Sequence, residues 1–230
     1  LMSGPELLRY YKETGIYSEA EIMTFKEKYF KETDFQWYKY VYQPAPMYSA
    51  DVSVSGGSTG VRYYLSGGAL SQEGLRMGSS YKKAFGRINL DANLADWAKA
   101  NVNTQVSYAD TRVSPFGNNN AVGGGLAAMN APFASPYDPN TGLELERVPL
   151  LDLATPKHVI SANPAKTNAF ILSANGNLTL TPIKNLTVRS LIGLELNYGD
   201  SRSRMLPSYY RAYGNGSSER AYSMASNITI

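Results

Sequence analysis

The chain has 230 residues, no cysteine, one histidine and a formal net charge of +3. That excludes a disulfide framework and a thiolate metal site, and so small a charge, with no Lys/Arg cluster among aromatics, argues against nucleic acid. Mean hydropathy is −0.31 and no window approaches the roughly 18 apolar residues of a membrane helix, yet a barrel hides its hydrophobicity by alternation.

Taken from the N-terminus, Ser18-Glu19-Ala20-Glu21 has the form of a capping box and opens an expected helix. Ile22, Phe25 and Tyr29 share one face of it, a packing face, with Lys26, Glu27, Lys28 and Lys31 elsewhere. Alternation of period two follows. Ala50, Val52 and Val54 alternate with Asp51, Ser53 and Ser55. Gly56-Gly57-Ser58-Thr59-Gly60 turns the chain into Val61, Tyr63 and Leu65, and Gly56-Gly57 is expected to supply the positive φ of a tight hairpin. Next, Gly86, Ile88, Leu90 and Ala92 alternate with Phe85, Arg87, Asn89, Asp91 and Asn93. Leu94-Ala95-Asp96 links that strand to Ala98, Ala100, Val102, Thr104, Val106 and Tyr108, which alternate with Lys99, Asn101, Asn103, Gln105 and Ser107. Trp97, at the end of this link, suits the headgroup level of a membrane; a soluble-core Trp is the alternative.

Residues 168 to 198 hold the longest pair. Phe170, Leu172, Ala174, Leu178 and Leu180 point one way, and Ser173, Asn175, Asn177, Thr179 and Thr181 the other. Pro182-Ile183-Lys184-Asn185 turns the chain, and Leu186, Val188, Ile192, Leu194 and Leu196 then alternate with Thr187, Arg189, Gly193, Glu195 and Asn197. Tyr222 to Ile230 begins another alternating run. The strands of this pair reach the roughly 9–11 residues needed to cross a bilayer at a tilt. Seven strands result, with short turns on one side and longer loops, around Glu73, over 110–167 and over 199–220, on the other. That pattern marks a transmembrane barrel wall rather than a soluble sandwich. Its expected lipid-facing residues are Ile88, Leu90, Val102, Val106, Phe170, Leu172, Leu178, Val188, Ile192 and Leu194. The expected lumen-facing residues are Arg87, Asn89, Asn101, Asn103, Gln105, Arg189 and Glu195.

The loops offer few sites. Gly117-Asn118-Asn119-Asn120 and Gly123-Gly124-Gly125 read as irregular. Asp138-Pro139-Asn140-Thr141-Gly142 lacks the further carboxylates of a calcium loop and reads as an Asp/Asn turn. Tyr209, Tyr210 and Tyr213, beside Arg211, are the candidates for stacking on a sugar or a peptide side chain, with loop packing the alternative. His158 reads as a surface loop histidine, and Glu144 with Glu146 as a solvated pair rather than an acid/base couple. No catalytic residue, cofactor site or metal site is assigned, and no enzyme activity is expected.

An ordered series then carries a resemblance. Thr33-Asp34-Phe35-Gln36-Trp37 is followed by Gln43-Pro44-Ala45-Pro46 and Val54-Ser55-Gly56-Gly57-Ser58. Arg62-Tyr63-Tyr64, Gln72-Glu73-Gly74-Leu75, Gly78-Ser79, Arg87-Ile88-Asn89-Leu90-Asp91 and Asp96-Trp97 come after it. The series resembles the early barrel of the SusC/RagA-like TonB-dependent outer-membrane transporters of Bacteroidetes. The resemblance is dense over residues 33–110 and looser afterwards, with Ala162-Asn163-Pro164 also fitting. One departure is Phe35-Gln36-Trp37, where the family commonly places Trp directly after Thr-Asp.

The resemblance implies an all-β segment, about strands two to eight of a barrel of about 22 strands. Residues 1–47 would form an extracellular-loop segment with a helix, and 48–230 barrel strands. It further implies an importer of oligosaccharides or peptides in the bacterial outer membrane, its short turns periplasmic and its long loops extracellular. Partners would be outer-membrane lipid, a SusD-like surface lipoprotein, and TonB acting through a plug. Plug, TonB box and remaining strands are expected outside this chain, which stops inside a strand. A siderophore-type receptor and a soluble glycan-binding β-sandwich are the competing readings.

Overall fold

In the computed structural model the described residues are 2–29, 34–114, 131–138, 140–148 and 153–230. Among the described residues four α-helices precede or interrupt the strands: α1 (Gly4–Thr14), α2 (Glu19–Tyr29), α3 (Trp37–Val41) and α4 (Pro156–Ala162). Seven long strands form one antiparallel sheet: β1 (Met47–Gly57), β2 (Val61–Glu73), β3 (Ser80–Ala95), β4 (Ala98–Arg112), β7 (Ala165–Ile183), β8 (Leu186–Met205) and β9 (Ser217–Thr229). They lie in the order β1-β2-β3-β4-β7-β8-β9, each against its predecessor, while β5 (Arg147–Val148) and β6 (Leu153–Ala154) form a small ribbon apart. The expected all-β barrel-wall segment of seven strands is what forms.

The expected capping box opens α2: the Glu21 carboxylate accepts the Ser18 N–H at 2.8 Å, and Ser18 Oγ accepts the Glu21 N–H at 3.3 Å. Of its expected packing face Ile22 is buried, whereas the side chains of Phe25 and Tyr29 lie outside the described residues. α1 starts on the same chemistry, with Glu6 accepting from both the N–H and the hydroxyl of Ser3 at 2.9 Å. Gly15 closes it at φ 68°.

Strand ends differ from expectation. β7 and β8 run 19 and 20 residues, because the ladder continues through polar and charged positions beyond the apolar stretch. The turn between them shrinks to Lys184-Asn185, where Asn185 takes φ 68° and Ile183 faces Leu186. The loop expected to be long around Glu73 is a six-residue link, 74–79. Gly56 and Gly57 do not have positive φ. Gly57 is needed for space, since a Cβ there would sit 2.5 Å from the Val61 carbonyl, whereas one on Gly56 would meet only the end of the exposed Tyr63 ring, its hydroxyl at 2.6 Å.

At the end of the sheet opposite the short turns lies a cap with its own core. Leu8, Ile22, Trp37, Val41, Phe133, Val148, Val159 and Tyr209 are buried together, drawn from α1, α2, α3, α4 and the segments between them. Trp37 Nε1 donates to the Ala131 carbonyl at 3.0 Å, satisfying the polar end of a buried ring. The cap is tied to the strands by backbone bonds: Met77 N–H to Val41 O at 3.0 Å and Leu206 N–H to Ala162 O at 2.8 Å. Among the described residues of the sheet no second layer covers the apolar face. Ile88, Leu90, Val102, Val106, Phe170, Leu178, Val188 and Ile192 are exposed, and Leu172 and Leu194 half-exposed.

Candidate functional site

Two features carry chemistry: the polar face of the sheet and the cap above it. Cross-strand partners share a face, so the register decides which residues stand together. One row runs Ser53–Ser66–Arg87–Gln105–Ser173–Glu195–Asn227 and is polar on all seven strands. The next row on that face runs Ser55–Tyr64–Asn89–Asn103–Asn175–Gly193–Thr229. Between these two, on the opposite face, lies Val54–Leu65–Ile88–Thr104–Ala174–Leu194–Ile228.

All ten residues expected to face lipid therefore stand on one face, and all seven expected to face the lumen on the other. The polar side chains bind one another. Arg87 Nη2 donates to Gln105 Oε1 at 2.8 Å, Asn103 Nδ2 to Asn101 Oδ1 at 2.7 Å, Asn197 Nδ2 to Glu195 Oε1 at 3.0 Å, and Asn101 to Asp91. Arg87, Asn89, Asn103, Gln105, Ser173 and Asn175 surround a shallow polar hollow of about 210 Å³. Bulky apolar residues break the pattern on this face: Phe85 and Ile171 share the row Asp51–Gly68–Phe85–Ser107–Ile171–Asn197–Ala225, Leu70 stands opposite Lys83, and Leu191 opposite Asn177.

In the cap, the three tyrosines separate. Tyr209 is 5% exposed and belongs to the core, stacked on His158 with ring centroids 5.8 Å apart. Tyr210 is half-buried, sandwiched by cations: the Arg147 guanidinium lies 4.5 Å above its ring, and Arg211 Nε donates to its hydroxyl at 2.8 Å. Tyr213 is 87% exposed on a backbone with φ 49°. Only Tyr213 is fully open to a ligand.

His158 is not a loop histidine. It sits on α4, half-buried, and its Nε2 has no hydrogen-bond partner. Glu144 and Glu146 do not act as a pair. Glu144 takes the Tyr40 hydroxyl and Lys157 Nζ, the latter at 2.6 Å, while Glu146 is exposed. Burial first, and then the bond to Glu144, pushes the Tyr40 phenol far above its ordinary pKa. The bond to Glu144 raises Lys157.

Asp138 Oδ1 accepts the N–H groups of Asn140 and Thr141 at 2.7 and 3.0 Å, and Gly142 follows at φ 70°, so the segment forms the expected Asp turn. Pro139 and the glycine clusters at 117–120 and 123–125 lie outside the described residues. Among the described residues no group of His, Asp or Glu is placed to hold a metal ion. The sequence reading missed α1, α3 and α4. Ser3 with Glu6 and the final Gly15, and Thr155 before Pro156, were the signals for α1 and α4.

Against known proteins, no family model matches the chain. A TonB-dependent receptor of Formosa agariphila is 33% identical over 122 residues, 53% of this chain and 12% of the receptor. A chain of the RagAB peptide importer in its closed-closed state superposes with a TM-score of 0.85 at 21% identity, over 99% of this chain and 29% of that one. A second structure, of the RagAB peptide transporter, gives a TM-score of 0.82 at 22% identity with the same coverage. The chain thus spans less than a third of the length of these similar proteins. Sequence and fold both bear out the resemblance to a segment of a SusC/RagA-like TonB-dependent transporter.

Proposed function

We propose that this chain is a stretch of barrel wall from a SusC-like, TonB-dependent importer of the bacterial outer membrane. One observation carries the reading: a row polar on all seven strands backs a face whose apolar residues have, among the described residues, no protein layer over them. Lipid solvates such a face, and a water-filled lumen solvates the other. Among the described residues β1 and β9 each keep one unpaired edge. In the whole protein further strands close them, since hydrocarbon does not tolerate open backbone.

The lumen holds a plug on which TonB acts, and a SusD-like lipoprotein covers the outer end. Cargo is an oligosaccharide or a peptide. The cap faces outward, where Tyr213 and the edge of Tyr210 are offered to lid or cargo while Tyr209 supports them from beneath. Cysteines placed singly at Ser58 and Asn140 in an otherwise cysteine-free transporter test the orientation. An impermeant thiol reagent on whole cells labels position 140 and spares 58, and equal or reversed labelling overturns it.

Deleting the gene tests the activity. Growth on an oligosaccharide or a peptide as sole carbon source falls in the deletion strain. Unchanged growth on both, with loss of iron uptake through a chelate, moves the reading to a siderophore-type receptor. Recovery of the protein in the detergent-free soluble fraction moves it to a glycan-binding sandwich.

A further inference from the structure

The apolar face does not end where its aliphatic residues end. Followed toward the cap across β4, β7, β8 and β9, its rows come in a fixed order. Val106–Leu172–Leu196–Ser226 is followed by Tyr108–Phe170–Tyr198–Met224, then Asp110–Asn168–Asp200–Tyr222, then Arg112–Lys166–Arg202–Arg220. These four strands show no register shift over this stretch, so all four rows project from the same face. Aliphatic, aromatic and cationic levels are stacked along the barrel's outside.

The last row sets four cations directly opposite one another, an arrangement that like-charge repulsion disfavours. Two carboxylates beneath offset part of it. Asp200 is clamped by Arg202 Nη2 at 2.7 Å and by Arg220 Nε at 2.9 Å, and Asp110 takes Lys166 and, at 4.0 Å, Arg112. Arg204, one step further along the same face, has no ion pair among the described residues. Five cations against two carboxylates leave an excess of three positive charges.

These side chains are reachable. The four of the row keep between 39% and 62% of their surface. Arg202 and Arg220 bind Asp200 through Nε and Nη2, and among the described residues each Nη1 has no protein partner. Arg112, Lys166, Arg202 and Arg204 border a cleft of about 480 Å³ overhung by Ile160 and Pro164.

Resting on the barrel reading of the preceding subsection, we propose that this row binds the phosphate of an anionic lipid in the leaflet at the cap end. The depth fits. The aromatic row marks the interface level, and four residues further along a strand is roughly 13 Å, or about 10 Å along the membrane normal at the usual tilt. That is headgroup height, on the side of the wall away from the lumen. The chemistry fits as well: guanidinium forks match phosphate oxygens two by two, and Asp200 holds two of them in place. A lipid headgroup supplies the negative charge the row lacks.

The intact transporter, carrying Phe170→Trp as a reporter beside the row, is reconstituted in phosphatidylcholine vesicles. Phosphatidylcholine or phosphatidic acid with brominated chains is then added, and quenching of the introduced Trp is read. Both lipids quench, and phosphatidic acid is favoured by at least tenfold. Arg112→Gln with Arg204→Gln, which leaves the Asp200 clamp whole, removes a factor of roughly five per cation and brings the two lipids near parity. Arg112→Lys with Arg204→Lys keeps most of the preference; if it loses as much as the Gln pair, the effect is one of fold and the proposal falls. Equal quenching by the two lipids in the parent overturns the proposal and leaves the barrel intact. No quenching by either overturns the barrel reading itself. Inorganic phosphate abolishing the preference at matched concentration makes the row a free-anion site and also overturns the lipid.

Discussion

In the cap, Trp37, Val41, Val148 and Val159 are at most 2% exposed, whereas in the sheet Ile88, Val188 and Ile192 keep between 49% and 57% of their surface. The residue types are alike and the alternation of the sheet is the more regular of the two. What differs is the solvent each was built against. The cap collects apolar side chains from distant segments and buries them against one another, as a water-soluble domain does. The sheet spreads its apolar side chains over one smooth face that no described layer of the protein covers, and on the proposed barrel reading lipid covers it. One chain therefore carries two kinds of hydrophobic surface, and substitutions in each separate them.

The largest effect is expected in the cap. Trp37→Ala removes a ring buried to 2% and strands the Ala131 carbonyl that its Nε1 serves. The cost is about 3–5 kcal/mol. Limited proteolysis of the folded protein reads it: the cap is cleaved early while the sheet stays resistant to denaturation in detergent. Loss of the barrel together with the cap would show the two regions to be one cooperative unit and would erase the contrast.

Ile192→Arg places a charge on the other kind of surface. Ile192 lies midway between Leu186 and Tyr198 on β8, that is, near the centre of the apolar stretch. The expected penalty is about 2–4 kcal/mol, read from folding into vesicles under denaturant. A near-zero cost would mean that this face meets water or protein instead of lipid.

How far this contrast can be read from sequence depends on the reach of its periodicity. Alternation of period two exposed both faces of the sheet, residue by residue, because each strand repeats it many times. The strand ends were not legible: Asp110 to Arg112 and Asp200 to Arg204 look like loop, yet they extend the ladder into a level where charge is solvated. Nor was the cap core, since Trp37, Val148 and Val159 belong to elements of at most seven residues that face one another only after the strands have placed them. Tyr209 looked like a ligand contact for the same reason. Its burial comes from α4 and His158, about fifty residues upstream.

Tyr40 gives a smaller effect with a pH dependence. Tyr40→Phe removes the hydroxyl bonded to Glu144 and should cost about 1.5–3 kcal/mol, since a charged acceptor is involved. The folded pKa of Tyr40 is raised, so the contribution is present below the unfolded value of about 10 and is lost as pH rises toward the folded one. Cap stability, followed by protease resistance, should fall above about pH 10 in the parent and be flatter there in Tyr40→Phe. Identical alkaline profiles would remove Tyr40 as the cause.

The smallest effect tests the wet face. Asn103→Arg carries the same charge as the substitution at Ile192, two strands away across β7, but on the row with Asn89 and Asn175. Its present bond is a 2.7 Å contact with Asn101, and Asn101 keeps Asp91 when that contact is lost. The new guanidinium points into the polar hollow, with Asp91 two rows away to offset Arg87. Cost should be about 0.5 kcal/mol or less in the same vesicle-folding measurement, within the range of surface changes. The difference between the two arginines is then worth about 2–3 kcal/mol, an order of magnitude or more in the folding equilibrium. Sequence composition is identical in the two variants apart from which residue was replaced, so the difference isolates the face. If Asn103→Arg costs as much as Ile192→Arg, this face is packed against an apolar body instead of water, and the apolar exceptions on it, Phe85 and Ile171 in one row and Leu191 in another, mark where that body sits.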